Sequence, residues 1–378
     1  MVRPRLAIVA GIDPALDRSR NRGLVAGIGI TLLALAGLAT LSGADEARRS
    51  FNPREFATTI LDTALEHGSD APEVRGALVA MRSTIAHRPL DTKTRVAFST
   101  AMLGVARTID DLEVAAFHAR LAARLTPVTV PVVRGSAIVL LNTGHSDESL
   151  ALIRAMFGYD PGAASRLLAL SEPLLLPNQV EQGVADAPEA WQAWARQLRQ
   201  IGRAEEAGLW FERGLERWPE DLRLLVQVAE QTSKARDWEK LDDLLRGRTL
   251  PDEPGAALLY VHRARLHVQA GNLDDAASDL TTALRLASRS TSVHLRAGDT
   301  YMAMGAADEA RRSWNRALFL LEQGQDDPRS RVLRRLARLE EAQGRHGTAL
   351  RQWRAVLNLD PDDEEAQRRV TALAGSSP

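Results

Sequence analysis

The chain has 378 residues, 45% hydrophobic, 26% charged and only 4% aromatic, and its 48 basic and 49 acidic residues leave a formal net charge of −1. These proportions exclude a wholly disordered chain, a collagen and a polytopic membrane protein, and the neutral balance gives no bulk electrostatic reason to expect nucleic acid. Cysteine is absent, which removes disulfide scaffolds, thiolate metal sites, cysteine nucleophiles and a lipidated N-terminal cysteine.

The first predicted element is a membrane span. Residues 23–44, GLVAGIGITLLALAGLATLSGA, carry no charge, and a helix of that length at about 1.5 Å per residue matches a hydrocarbon core of roughly 30 Å. Arg3, Arg5, Arg18, Arg20 and Arg22 precede it, against Arg48 and Arg49 just after it. This bias keeps the N-terminus (residues 1–22) in the cytoplasm and places everything after residue 44 outside it. Ser42-Gly43-Ala44 would also serve as a signal-peptidase site, but the apolar stretch is longer than a signal core and its leader is long, which favours an uncleaved anchor. Gly23 and Gly27 form a GxxxG pair, so the helix is suited to self-association.

From residue 52 to 374 apolar residues recur at three and four, with short Gly, Asp or Pro breaks, which predicts a chain of helical hairpins. In residues 45–187 the pattern is degenerate. Ala77 and Met81 precede Pro89; Ala115, Ala119 and Ala122 precede Pro127; and Gly144 stands at a turn before Pro161, 34 residues after Pro127. Residues 162–187 break the period and read as a spacer, an extra helix followed by a polar loop. From 188 to 363 the period is regular. Gly202, Arg236, Gly271 and Gly305 stand at spacings of 34, 35 and 34, and Gly344 follows after 39, the extra length falling in the loop 322–326. Residues 364–378 open with acidic residues and end in Gly-Ser-Ser-Pro, as a polar capping helix and tail should.

A 34-residue helix–turn–helix period resembles the tetratricopeptide repeat, most clearly at PEAWQAWARQLRQIGRAEEAGLWFERGLERWPED (188–221). There Trp191, Trp194, Ala195 and Leu198 match the family's first helix, Gly202 its turn, Ala207, Phe211 and Gly214 its second helix, and Pro219 its close. The pattern returns with Ala264, Gly271, Ala276 and Ala283, with Gly298, Tyr301, Ala310, Trp314 and Ala317, and with Ala337, Ala349, Trp353 and Pro361. The unit at 222–256 departs from it, with Leu241 where alanine is expected and Thr232 where an aromatic is expected. The resemblance implies an all-α fold: a tetratricopeptide-like α-solenoid, a right-handed superhelix of about seven helical hairpins; the uncharged run at 23–44 is expected to precede it as a single transmembrane helix. The tryptophans are then core and stacking residues.

No motif for catalysis stands out. There is no Gly-rich phosphate loop outside the apolar segment. His262 and His267 are five apart, off the i, i+4 spacing of a helical metal pair. Gly144-His145-Ser146-Asp147 reads as a turn and helix start rather than a triad, whose members must be brought together from separate places. Asp110-Asp111 and Asp274-Asp275 read as solvated turn residues. No enzyme, cofactor or metal is expected.

The resemblance implies partner binding on a concave face lined by the first helices. Carrying over the family's groove positions gives Glu189, Gln192, Arg196 and Arg199; Arg223, Val226, Glu230 and Ser233; Leu258, Val261, Arg265 and Val268; Ser292, Leu295, Asp299 and Met302; Arg331, Arg334, Arg338 and Glu341. Seven of these 20 are arginine, against 45 of 378 overall, so arginine is enriched; Arg331, Arg334 and Arg338 share one helix face, either a stripe facing an acidic partner or a solvated face with Glu340 and Glu341 offsetting the charge. Gln192 and Arg196 stand where chaperone-binding members carry Lys and Asn, which argues against that role. The expected protein is a single-pass bacterial inner-membrane scaffold or adaptor with its C-terminal domain in the periplasm, binding proteins or peptides through the groove and the membrane through 23–44. Such anchored repeat proteins often accompany envelope assembly or polysaccharide export. The alternatives are a secreted peptide-binding protein after signal cleavage, or a carbohydrate-binding module.

Overall fold

The computed structural model describes residues 52–322 and 324–375. The proposed cytoplasmic tail and membrane span lie outside these residues; among those described, no helix is long and apolar enough to cross a membrane. The described chain is helical throughout, with no strand. It divides into two compact units, one running to Trp210 and the other from Phe211.

In the first unit, helices pair in sequence: α1 (Pro53–His67) with α2 (Pro72–His87), α3 (Thr92–Val105) with α4 (Ile109–Leu125), and α5 (Val130–Asn142) with α6 (Ser146–Phe157). Next come α7 (Pro161–Ser171), α8 (Pro177–Gly183) and α9 (Pro188–Gln200). Proline takes a first-turn position in α1, α2, α5, α7, α8 and α9, where its missing N–H costs no hydrogen bond. Asp111 is not merely solvated. Its carboxylate accepts from the Arg107 and Thr108 amides while the Thr108 hydroxyl accepts from the Asp111 amide, a capping box that starts α4.

Residues 162–187 form a compressed hairpin rather than a spacer. α7 packs on α5, α6 and α9, and α8 returns against α6. Pro173 and Pro177 interrupt the chain, so the second helix is cut to seven residues and the unit runs short of the 34-residue period. Arg203 fastens its end to the next hairpin, donating two hydrogen bonds to Glu172, one of them at 2.9 Å, and pairing with Glu206 at 2.6 Å.

α10 (Ala204–Arg217) crosses the boundary between the units. The second unit continues through α11 (Leu222–Ala235), α12 (Trp238–Leu245), α13 (Ala257–Gln269), α14 (Leu273–Leu286), α15 (Thr291–Ala303), α16 (Ala307–Leu320), α17 (Asp326–Ala342), α18 (His346–Leu359) and α19 (Glu364–Gly375). Nine hairpins thus precede the terminal helix among the described residues, two more than expected. The unit that departs from the repeat pattern has a second helix of only eight residues, ended by Arg246, Gly247 at φ 71° and the prolines at 251 and 254.

The turn register matches the sequence expectation. Gly144, Gly202, Gly271, Gly305 and Gly344 all have φ between 72° and 88°, and Arg236 at φ 60° is the one non-glycine residue with positive φ among those described. After each, the next amide donates to the carbonyl five residues back: His145 to Leu140, Arg203 to Leu198, Asp237 to Thr232, Asn272 to His267, Ala306 to Tyr301 and Arg345 to Glu340. This is the Schellman closure, which requires a left-handed residue at its centre. A left-handed L-residue costs about 1–2 kcal/mol, partly offset by the extra freedom that glycine has in the unfolded chain. Arg236→Gly is therefore expected to stabilise the protein by about 0.5–1 kcal/mol, read as a raised melting temperature; an unchanged or lowered one would contradict this register.

Small residues mark the helix crossings. Ala195, Ala207, Ala264, Ala276, Ala310, Ala337 and Ala349 are fully buried. A Cβ on Gly298 would lie 2.5 Å from the Trp314 ring, so α15 and α16 approach as closely as they do only with glycine there. Five tryptophans are buried: Trp191, Trp194, Trp210, Trp314 and Trp353. Trp218 and Trp238 are not core; they are half-buried, with the guanidinium groups of Arg217 and Arg265 over their rings.

Candidate partner-binding groove

The side chains of the second unit's first helices locate a concave face. Arg296 of α15 donates to Glu230 of α11 at 2.5 Å. These helices belong to hairpins separated by a third, α13/α14. Side chains two hairpins apart can meet only on the inside of a curved stack. α13 packs on both α11 and α15, so α11, α13 and α15 line this inside face.

Further ion pairs run along the first helices. Lys234 meets Glu230 at 2.7 Å, and Arg335 of α17 meets Asp299 of α15 at 2.7 Å. Asp299 also accepts from the Trp314 indole at 3.1 Å. Arg334 of α17 meets Asp363 at 2.5 Å and Asp360 at 3.4 Å; Arg338 meets Glu365 at 2.5 Å and Glu341 meets Arg369 at 3.2 Å, the last two reaching α19.

These contacts place the residues expected to bind. Arg196 and Arg199 are exposed on α9 in the first unit, and Arg196 also bonds the Gln192 carbonyl one turn back. Arg223 is exposed at the start of α11. Val226 and Val261 are only 8% and 0% accessible. They pack between helices instead of opening to the groove, because an apolar side chain at that register is drawn into the adjacent seam. Arg265, Leu295 and Met302 are half-buried on the α13 and α15 faces.

Arg331 and Arg338 are exposed and Arg334 is half-buried, and the chain itself engages all three. Arg331 bonds the Asp327 carbonyl of its own helix. The acidic groups against Arg334 and Arg338 are the chain's own, supplied by α19 and the turn before it. Changing the three to glutamate would therefore break the ion pairs that Arg334 and Arg338 make with the terminal helix and the turn before it. Arg296 and Arg335, absent from the family-derived positions, are the residues that bridge the groove. No local signal marks them; their acidic partners lie 66 and 36 residues away in sequence.

Three half-buried arginines of this face, Arg296, Arg334 and Arg335, each hold a carboxylate. Arg265 has no carboxylate in ion-pair distance among the described residues. Its Nη1 donates to the Ser233 hydroxyl at 2.5 Å, and its guanidinium carbon lies 5.5 Å from the centre of the Trp238 ring. Burial pulls its pKa below the usual arginine value, with Arg296 and Arg236 acting the same way and Asp299 opposing them. His262, one turn earlier on α13, is 1% exposed, and neither ring nitrogen has a hydrogen-bond partner among the described residues. Burial, reinforced by Arg265 and Arg296, pushes its pKa down to about 3, so the ring is neutral at pH 7.

His267 faces Asp279 at 3.6 Å, and Arg263 clamps that same carboxylate at 2.7 and 2.8 Å. The His145–Asp147 stretch is a turn into α6, as its sequence implies. Among the described residues no group of three or more His, Asp or Glu side chains could hold a metal ion.

No protein-family model matches the sequence, and no curated protein matches it. Solved structures do. A thermophilic TPR protein of Thermus thermophilus is 28% identical over 50% of this chain and 99% of its own, with a TM-score of 0.39. The pilF protein of Pseudomonas aeruginosa is 15% identical over 66% of this chain and 97% of its own, at 0.38. The Cut9–Hcn1 hetero-tetramer of the APC/C is similar over 93% of this chain and 73% of the matched one, with 13% identity and a TM-score of 0.44.

Proposed function

We propose that the chain is a non-enzymatic tetratricopeptide-type scaffold that holds a partner protein on the concave face of its second unit. The Glu230–Arg296 pair carries this reading, because it marks the inside of a curved stack whose lining mixes half-buried Leu295 and Met302 with charge. A surface of that composition suits an extended peptide or an amphipathic helix.

Residues 23–44 anchor the scaffold in a bacterial inner membrane, with the helical array in the periplasm and a role in envelope assembly or polysaccharide export. The uncharged run and the preceding arginines support the anchor and its direction. Helix self-association through Gly23 and Gly27 would bring several grooves together. A reporter active only in the periplasm, fused after Pro378, is expected to be active; activity from a cytoplasmic reporter instead would reverse the topology. Cross-linking in intact membranes is expected to give discrete heterologous adducts of the full chain, and their absence would count against a scaffold.

A further inference from the structure

Charged residues on the concave face recur at fixed repeat positions, and at one of them Arg265 stands between the acids of the two neighbouring hairpins, Glu230 and Asp299, while the last hairpin carries Arg338. Glu230, Arg265, Asp299 and Arg338 each stand six residues before their turn residue, respectively Arg236, Gly271, Gly305 and Gly344. His262, Arg296 and Arg335 each stand nine before theirs. Arg335 reaches back to the acid of the preceding hairpin, Asp299. By the same rule Arg296 should reach back to residue 265. It meets an arginine there, and passes over it to Glu230, two hairpins away.

This substitution of a base for an acid gathers Lys234, Arg236, Arg265 and Arg296 in one part of the groove. The acids near them are Glu230, which both Lys234 and Arg296 engage, and Asp299, which Arg335 and Trp314 engage. Burial normally drives a cation to acquire a carboxylate. Arg265 instead is held in place by a hydroxyl and an aromatic face. A guanidinium carries five N–H donors in a planar fork, and Ser233 takes one. With one donor on Ser233 and the guanidinium carbon 5.5 Å from the centre of the Trp238 ring, the remaining donors are left for a planar acceptor such as a carboxylate. His262, one turn earlier on α13, is buried with neither ring nitrogen partnered among the described residues.

We propose that Arg265, with Lys234, Arg236 and Arg296 around it, is the docking point for a carboxylate side chain of an acidic peptide segment of the partner. This rests on the scaffold reading above and narrows it to one partner chemistry and one place in the groove.

The test uses the full chain in detergent and two acetylated, amidated peptides, one of alternating Glu and Ala and its Gln counterpart. The parent is expected to bind the Glu peptide in a salt-dependent manner and the Gln peptide at least tenfold more weakly. Arg265→Glu restores the acid found at this position in the neighbouring hairpins, giving Arg296 a nearer partner. It is expected to keep or raise the melting temperature while weakening the Glu peptide tenfold or more. Arg265→Gln, which adds no charge, is expected to weaken it in the same direction and serves if the reversal disturbs folding. Equal binding of the two peptides, unchanged binding by both variants, or no binding by the parent would overturn the assignment. Displacement of the Glu peptide by inorganic phosphate as effectively as by unlabelled Glu peptide would show a general anion site, and would overturn it too. Membrane cross-links that persist in Arg265→Glu would leave the scaffold reading standing while removing this site; their absence from the parent would remove the scaffold reading itself.

Discussion

Replacing Trp353 by alanine is expected to destabilise the C-terminal end of the array by about 3–5 kcal/mol, the usual cost of emptying a fully buried aromatic site. Trp353 is 0% exposed on α18 and packs with Leu333, Ala337, Ala349, Val356, Ala366 and Leu373. These neighbours come from α17, α18 and α19, so one indole joins the last hairpin to the terminal helix. Its N–H also donates to the Glu341 carboxylate, which the substitution leaves without that donor. In a repeat array each hairpin is stabilised mainly by its neighbours. The loss should therefore appear first as early melting of α17–α19, seen as faster amide exchange there while α1–α6 stay protected. A change below about 1 kcal/mol would mean that these helices do not depend on the indole.

Acid should weaken both units, through the half-buried His118 in the first and the buried His262 in the second. His262 titrates near 3, and His118, in the first unit, is pushed down to about 4 by burial, with Arg95 and Arg82 adding to the effect. The charged groups around His262 are Arg265 on its own helix, Glu230 and Lys234 on α11, and Arg296 on α15. In the unfolded chain both rings titrate near the ordinary histidine value of 6.5. Between that value and the folded one, the unfolded state binds the extra proton, so stability falls as pH falls. The slope approaches about 1.4 kcal/mol per pH unit for each ring, beginning below pH 6.5 and ending near the folded values. His262→Leu should flatten the His262 part of this slope in chemical denaturation measured from pH 7 to 4. An unaltered slope would place the acid sensitivity elsewhere.

The parts of the fold that were legible in the sequence are those set by backbone conformation. A left-handed turn residue is needed wherever a helix closes in a Schellman turn. Glycine at 202, 271, 305 and 344 therefore announces the register, and the period identifies Arg236 despite its side chain. Buried alanines and tryptophans follow from the same register. The compressed hairpin α7/α8 was hidden because it breaks the period that would have revealed it, and the short α12 because Gly247 and two prolines cut it off.

The groove was harder to read. Val226 and Val261 share a register with the half-buried Leu295 and Arg334 of later hairpins, and only packing tells a seam from a partly open face. Arg334 and Arg338 look like a free stripe until α19 folds back onto them. Arg296 finds its acid two hairpins away, a distance that a local pattern does not encode.

The central claim, that partners bind on the inside of the α11–α13–α15 stack, is tested most directly by site-specific photo-crosslinking in intact cells. A photoreactive amino acid would be placed at Leu295 or Met302 on the first helix α15, and at Phe319, 76% exposed on the second helix α16. The account predicts the same discrete heterologous adduct from residues 295 and 302 and none from 319. An adduct from 319 with none from 295 and 302 would contradict it.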